Sequence, residues 1–202
     1  SKISLLALHR VYQPQYQSNF SYAFGENSKN ENEKGFYIGA KLLPIKRITL
    51  TLYADIFKFP WLKYNIGTPS QGEEFLCNVL YNTNRIINMQ LRYKYKDYIE
   101  QAYTKQSLRY MIQFNPNFFK IQTLIEGNKT TNEGKDSFGW VISQDIFHHW
   151  EKAKININLH YAYFQTDSYN NRLYIYERNI LNTFSMPMLY GKGHRISLNL
   201  KW

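Results

Sequence analysis

The residues best placed to do chemistry in this 202-residue chain are cations. Lys41, Arg92, Lys94, Lys96, Arg109, Lys120, Lys154 and Lys201 all fall on the polar side of segments that alternate apolar and polar residues. Asp55 and Glu126 fall on the same side and are the nearest acids by this parity. If these cations line an open passage, they favour anions, because rings of Lys and Arg set anion preference in pores. If they pair with Asp55, Glu126 and acids from the loops, they are structural and the passage is closed. The alternation leaves both arrangements open. The formal charge of +10 fits either, and a basic balance can also mark nucleic-acid or anionic-surface contacts.

The remaining candidates are weaker. His148 and His149 sit at an expected turn, and two adjacent histidines chelate one metal poorly. Asp167, Arg172, Glu177 and Arg178 lie in a long loop, where structural ion pairs are the expected arrangement. Cys77 is the one cysteine, so an internal disulfide and a multi-cysteine metal site are excluded. It reads as a small apolar residue within a strand. Asn128-Lys129-Thr130 matches a glycosylation sequon, with little weight in a chain of this kind. No nucleophile–base constellation, glycine-rich phosphate loop or cysteine cluster is present. The expectation is a non-catalytic protein with no metal and no cofactor.

The elements that position these residues are strands. Ile196, Leu198, Leu200 and Trp202 share one face of the final segment, and Arg195, Ser197, Asn199 and Lys201 share the other. The same period of two runs through Ile155, Ile157, Leu159, Tyr161 and Tyr163, through Met89, Leu91, Tyr93 and Tyr95, and through Leu108, Tyr110, Ile112 and Phe114. It predicts about ten strands, near 2–11, 34–43, 47–57, 74–82, 85–97, 105–115, 118–127, 138–148, 153–165 and 193–202. Alternation is poor at 2–11, 74–82 and 138–148. No helix and no second domain is expected.

Short turns at Pro44-Ile45-Lys46-Arg47, Asn82-Thr83-Asn84-Arg85, Asn115-Pro116-Asn117 and 148–152 alternate with longer links. Those links are 12–33, 58–73, 98–105, 128–137 and 166–193; the loop 58–73 is a candidate inward plug or partner-binding surface. A mean hydropathy of -0.53 and the lack of apolar runs of roughly 20 residues exclude a helical membrane protein. The aromatic content of 17% fits β-structure, and Phe57, Phe59, Trp61 and Trp150 cluster at strand ends as interfacial girdles do. Together these features predict an all-β fold, an antiparallel transmembrane β-barrel with an apolar outside and a polar inside.

The ending Gly193-His194-Arg195-Ile196-Ser197-Leu198-Asn199-Leu200-Lys201-Trp202 is similar to the signal that barrel-assembly machinery reads on a last strand. Ile196, Leu198, Leu200 and Trp202 would carry it, by strand addition to the machine. The chain further resembles a family of outer-membrane barrel proteins from the Bacteroidetes, whose longer members carry helix-hairpin-helix repeats ahead of the barrel. The carrying segments are Phe59-Pro60-Trp61-Leu62-Lys63-Tyr64 with Pro69-Ser70-Gln71-Gly72, Gly139-Trp140-Val141-Ile142-Ser143-Gln144-Asp145, Phe164 to Tyr169 with Arg172 to Glu177, and Phe184-Ser185-Met186-Pro187 with Tyr190-Gly191-Lys192-Gly193. The resemblance implies that residues 1–202 are the C-terminal part of a larger barrel. The chain begins without a leader and already in a strand, which agrees with that expectation. No helix-hairpin-helix segment is present, so nucleic-acid binding is not implied.

The functional expectation is a bacterial outer-membrane protein, channel-like or structural, and anion-preferring where its lumen is open. The alternative is a subunit or client of a larger outer-membrane assembly or secretion complex. Expected partners are outer-membrane lipid and lipopolysaccharide, the barrel-assembly machinery through the last strand, and other outer-membrane subunits.

Overall fold

A computed structural model describes residues 2–17, 24–27, 31–63, 66–83, 86–116, 119–177 and 185–202. The chain is all-β. Its strands are β1 (Ile3–Tyr12), β2 (Glu33–Leu42), β3 (Ile48–Phe59), β4 (Ser70–Thr83), β5 (Ile87–Tyr98), β6 (Tyr103–Phe114), β7 (Phe119–Asn132), β8 (Lys135–Trp150), β9 (Ile155–Thr166), β10 (Leu173–Tyr174), β11 (Met188–Leu189) and β12 (Lys192–Lys201). One antiparallel sheet takes ten of them in the order β1-β2-β3-β4-β5-β6-β7-β8-β9-β12, and β10 and β11 pair separately. Sequence-adjacent strands are thus sheet neighbours throughout, except where the β10–β11 pair is inserted between β9 and β12.

The ten strands of the large sheet match the ten expected ones, apart from the unexpected β10–β11 pair, the start of β4 at Ser70 within the expected loop 58–73, and three further differences. First, β7 and β8 run on through 128–137, where a long link was expected, and meet at Glu133 and Gly134. Both have positive φ, 49° and 76°, as a two-residue turn that follows the twist of its strands requires. The Asn and Thr residues there resembled a loop because the buried face of this sheet is itself polar. Second, the link after β5 is only a 3-10 turn, Ile99–Gln101, closed by Ala102 at φ 45°. A second 3-10 turn, Tyr169–Asn171, follows β9, so short helical turns are present where no helix was expected. Third, β8 extends to Trp150, which takes His148 and His149 out of the expected turn and into the strand. Asn84, Arg85, Asn117, Tyr64, Arg178 and Phe184 lie outside the described residues.

The chain divides into two compact units. One is Ser1–Asn78, Tyr93–Gln106 and Thr131–Lys135; the other is Val79–Arg92, Ser107–Thr130 and Asp136–Trp202. In both, the usual distribution of side chains is reversed. Among the described residues, buried polar and charged side chains outnumber buried apolar ones. Large apolar residues instead stand exposed: Ile3, Leu5, Phe36, Ile38 and Ile56 in the first unit, and Trp140, Ile142, Leu159, Ile196, Leu198 and Leu200 in the second.

Register explains how each unit keeps its two faces apart. In the first, Arg10 is opposite Gly35 and Gly35 opposite Phe57, all on the buried face. The intervening pairs, His9 with Phe36 and Phe36 with Ile56, are on the exposed face. In the second, Asp145 is opposite His160 and His160 opposite Ser197, while Ile146, Leu159 and Leu198 form the next, exposed row. Because side chains alternate at each step of a strand, a slip of one residue would exchange these faces completely.

The small apolar core of the second unit has an unusual source. Leu124, Val141 and Ala162 project from the sheet, and Leu173, Ile175 and Leu189 come from the β10–β11 segment laid against them, with Phe164 at the margin. Residues 173–175 and 188–189 of the link 166–193 therefore lie against the buried face of their own sheet. Fully burying a side chain of this size stabilises by about 1.5–3 kcal/mol, so Leu173, Ile175 and Leu189 contribute to attaching the segment.

Candidate functional site

The buried face of the first unit is a continuous charged network built from five strands and one loop. Arg10 of β1 is 3% exposed and donates from Nε to Glu33 Oε1 at 2.6 Å. Its Nη1 and Nη2 donate to Asp55 Oδ1 and Oδ2 at 2.7 and 2.9 Å. The guanidinium can lie across β2 because Gly35, directly opposite Arg10, has no side chain: a Cβ there would stand 2.7 Å from Nη2. Glu33 also accepts from the backbone N–H of Glu26, at 3.0 Å to Oε2, which draws the Phe24–Asn27 segment onto this face.

Glu26 extends the network. Its carboxylate receives the Lys96 ammonium and, at 3.3 Å, the Tyr98 hydroxyl. Lys96 also reaches Glu74 Oε2 at 3.1 Å, and Lys94 reaches Glu74 Oε1 at 2.8 Å. The Tyr53 hydroxyl donates to the same Glu74 carboxylate. The cations Arg10, Lys94 and Lys96 are thus matched by Glu26, Glu33, Asp55 and Glu74. At the loop end, Lys63 packs 3.5 Å from the centre of the Phe59 ring and donates to Asn27 Oδ1 at 2.8 Å. Burial lowers the affinity of Lys63 for its proton.

The second unit repeats the principle with different partners. Arg109 pairs with Glu126, Nε to Oε2 at 2.5 Å, and its Nη2 donates to the Tyr174 carbonyl at 3.4 Å, so one expected cation reaches the β10–β11 segment. Arg195 of β12 holds Glu177 through both carboxylate oxygens, Nη2 to Oε2 at 2.9 Å. His160, fully buried, has Nδ1 2.9 Å from Asp145 Oδ1 and Nε2 3.8 Å from Glu177 Oε1. Asn128 Nδ2 donates to the Asn171 carbonyl at 3.1 Å, and Gly139 lets that carbonyl approach: a Cβ there would meet it at 2.7 Å.

The sequence-derived cations separate into four groups. Lys94, Lys96 and Arg109 sit on the buried face in ion pairs. Arg92 of β5 and Lys120 of β7 are half-buried and have contacts of their own. Lys41, opposite Ser4 and Thr51, and Lys201, opposite Asn156, are exposed at strand ends. Lys154 is on no strand: it closes the turn before β9 with φ of 53°. The strand begins one residue later, at Ile155, because the turn needs a left-handed residue there.

Asp55 and Glu126 are buried as expected, Glu126 with Arg109 and Asp55 with Arg10. Arg10 was missed. It lies in a strand of poor alternation, where Leu6 and Leu8 occupy its own face, so parity by hydrophobicity placed no boundary there. Glu33 was missed because the predicted strand began at residue 34; extending the parity of Gly35 and Tyr37 back by one pair would have found it. His148 and His149 point to opposite faces as neighbours on a strand must, His148 opposite Ile157 and His149 bonded to Asn156 at 2.8 Å. They do not converge on one ion.

On the exposed face, Ile196 is opposite Tyr161, Leu198 opposite Leu159 and Leu200 opposite Ile157. Trp202 follows β12 and is 96% exposed. No protein-family model matches the chain, and no curated protein matches it. The chemistry of the two charged networks must therefore be read from the side chains alone. They pair cations on the inward faces of the sheet, Arg10 among them buried, with largely buried carboxylates, and they fasten two loops to the sheet.

Proposed function

We propose that this chain is a bacterial outer-membrane β-barrel segment of structural rather than catalytic or pore-forming function, its interior closed by its own loops. The observation that carries the reading is the reversed distribution of side chains. A protein in water hides its apolar residues, whereas a strand in lipid turns them outward and its polar residues inward. Exposed apolar patches above a few hundred Å² on a water-soluble monomer mark an interaction surface, and here the apolar face runs along strand after strand. The sheet strands are 10–16 residues long, and a tilted strand needs about 9–11 to cross a bilayer. The C-terminal resemblance to an assembly signal, and the likeness to Bacteroidetes outer-membrane barrels, belong to the same reading.

The charge pairing supports the closed one of the two interiors left open by the sequence. An anion-selective lining needs cations facing water. Lys94, Lys96 and Arg109 instead face carboxylates, and in the first unit the acids Glu26, Glu33, Asp55 and Glu74 equal in number the cations Arg10, Lys63, Lys94 and Lys96. The test is reconstitution of the full chain into lipid bilayers. Folded, inserted protein is expected to migrate differently on electrophoresis before and after boiling, and to give no steady conductance. Steady conductance with anion preference would overturn the closed interior; failure to insert would overturn the membrane reading itself.

A further inference from the structure

Lys34 and Lys58 face each other directly across β2 and β3, on the exposed face. Like charges placed opposite one another on neighbouring strands destabilise a sheet. Neither lysine has an ion-pair partner among the described residues. Lys129 makes the contrast: it also stands near a strand end, and Asp136 takes its ammonium at 2.6 Å. Below the two lysines the same face is apolar. Phe36 is opposite Ile56, 48% and 61% exposed, and Ile38 is opposite Ala54.

Trp61, three residues beyond Lys58, is 64% exposed yet fixed in place. Its backbone N–H donates to Asn32 Oδ1 at 2.8 Å, and Asn32 Nδ2 donates to its carbonyl at 2.8 Å. Asn32 is itself buried. An indole presented to solvent on a locked backbone is what a membrane–water interface selects, since Trp belts sit at head-group level.

Resting on the membrane reading above, we propose that Lys34 and Lys58 together bind the phosphate of a membrane-lipid head group. Phe36 and Ile56 then lie against its acyl chains and Trp61 stands beside the head group. One phosphate between two ammonium groups removes their repulsion, and cationic side chains bind anionic head groups at such a surface. Free inorganic phosphate offers the same chemistry, but it would leave the apolar pair below the lysines without an occupant.

The wild-type chain and a K34Q/K58Q variant would be reconstituted in phosphatidylcholine bilayers doped with phosphatidic acid, and the lipid retained after extraction counted by native mass spectrometry. The wild type is expected to retain phosphatidic acid over phosphatidylcholine, and the variant to bind it roughly 30-fold more weakly. K34R/K58R, which keeps both charges, should retain binding. Equal retention by inserted wild type and inserted K34Q/K58Q would overturn the site while leaving the membrane reading intact. Displacement of phosphatidic acid by millimolar inorganic phosphate would assign the lysines to a soluble anion and overturn the lipid proposal. If the wild type does not insert, the membrane reading fails and the proposal fails with it.

Discussion

Arg10 and Asp55 lie 45 residues apart in the chain and meet across β2 in a two-pronged ion pair, 2.7 Å from Nη1 to Oδ1 and 2.9 Å from Nη2 to Oδ2. Both are buried, and Glu33 completes the cluster from the strand between them. Burying such a cluster adds little net stability, because desolvation offsets much of the attraction; removing one partner is another matter. Arg10→Ala would leave two carboxylates buried without a cation. It should cost about 3–5 kcal/mol, read as a shift in the urea unfolding midpoint in detergent micelles. A loss below about 1 kcal/mol would mean that the carboxylates reach water once the guanidinium is gone.

Gly35 makes that crossing possible, so its replacement should act through Arg10. A Cβ at this position would stand 2.7 Å from Nη2 and 2.8 Å from Nε of a side chain that two carboxylates already hold. Gly35→Ala should therefore cost about 1–3 kcal/mol by overpacking. In an Arg10→Ala background the same substitution should cost much less, because the atoms it strikes are absent. The measurement is a double-mutant cycle on unfolding free energies, and additive costs would show that the strain of Gly35→Ala lies elsewhere.

The fold was legible in the sequence wherever the two faces differ in kind. The face of Ile196, Leu198 and Leu200 reads cleanly because its alternate residues are Arg195, Ser197 and Asn199. The network on the buried face was legible by halves. Lys94, Lys96, Arg109, Asp55 and Glu126 were assigned by parity and Glu177 was expected in a structural ion pair of its loop, without a named partner, whereas Arg10, Glu26, Glu33 and Glu74 were not assigned. The reason is physical: a pair such as Arg195 with Glu177, or Lys96 with Glu26, depends on where a loop folds, and local alternation carries no record of that. The β10–β11 segment was illegible for the same cause. Its strands are two residues long, too short for a period to register, and contacts with Leu124, Val141 and Ala162 hold it.

Two kinds of contact fasten that segment, and they should be unequal. Arg195 is 43% exposed at its side chain, so its pair with Glu177 is partly screened, while Leu189 is 3% exposed in the apolar cluster. Leu189→Ala should cost about 2–5 kcal/mol, as expected for a truncated core leucine. Arg195→Ala should cost about 1–2 kcal/mol, most of it from leaving Glu177 buried beside His160. Limited proteolysis should then cut between Leu173 and Leu189 faster in both variants, with Leu189→Ala the faster. The reverse order would make the ion pair, and not apolar burial, the principal fastening.

Leu198 and Asn199 are neighbours on β12 with opposite surroundings, and the pair separates a lipid-facing sheet from a water-facing one. Leu198 is 61% exposed opposite Leu159, 41% exposed, on the apolar face. Asn199 is opposite Asn158 on the buried, polar face, two residues from the exposed Lys201. In water, a lysine at the exposed Leu198 position would be close to neutral for stability, and at the half-buried Asn199 position it would be the worse choice. In lipid the order inverts: Leu198→Lys should cost about 2–4 kcal/mol if that row lies near the bilayer midplane, while Asn199→Lys stays among polar groups. The measurement is the fraction of each variant that reaches the folded, inserted form in bilayers, compared with its folding in detergent. Leu198→Lys should lose insertion selectively in bilayers. If it inserts as well as Asn199→Lys does, the apolar face is not in contact with lipid, and a partner surface of comparable size must cover it instead.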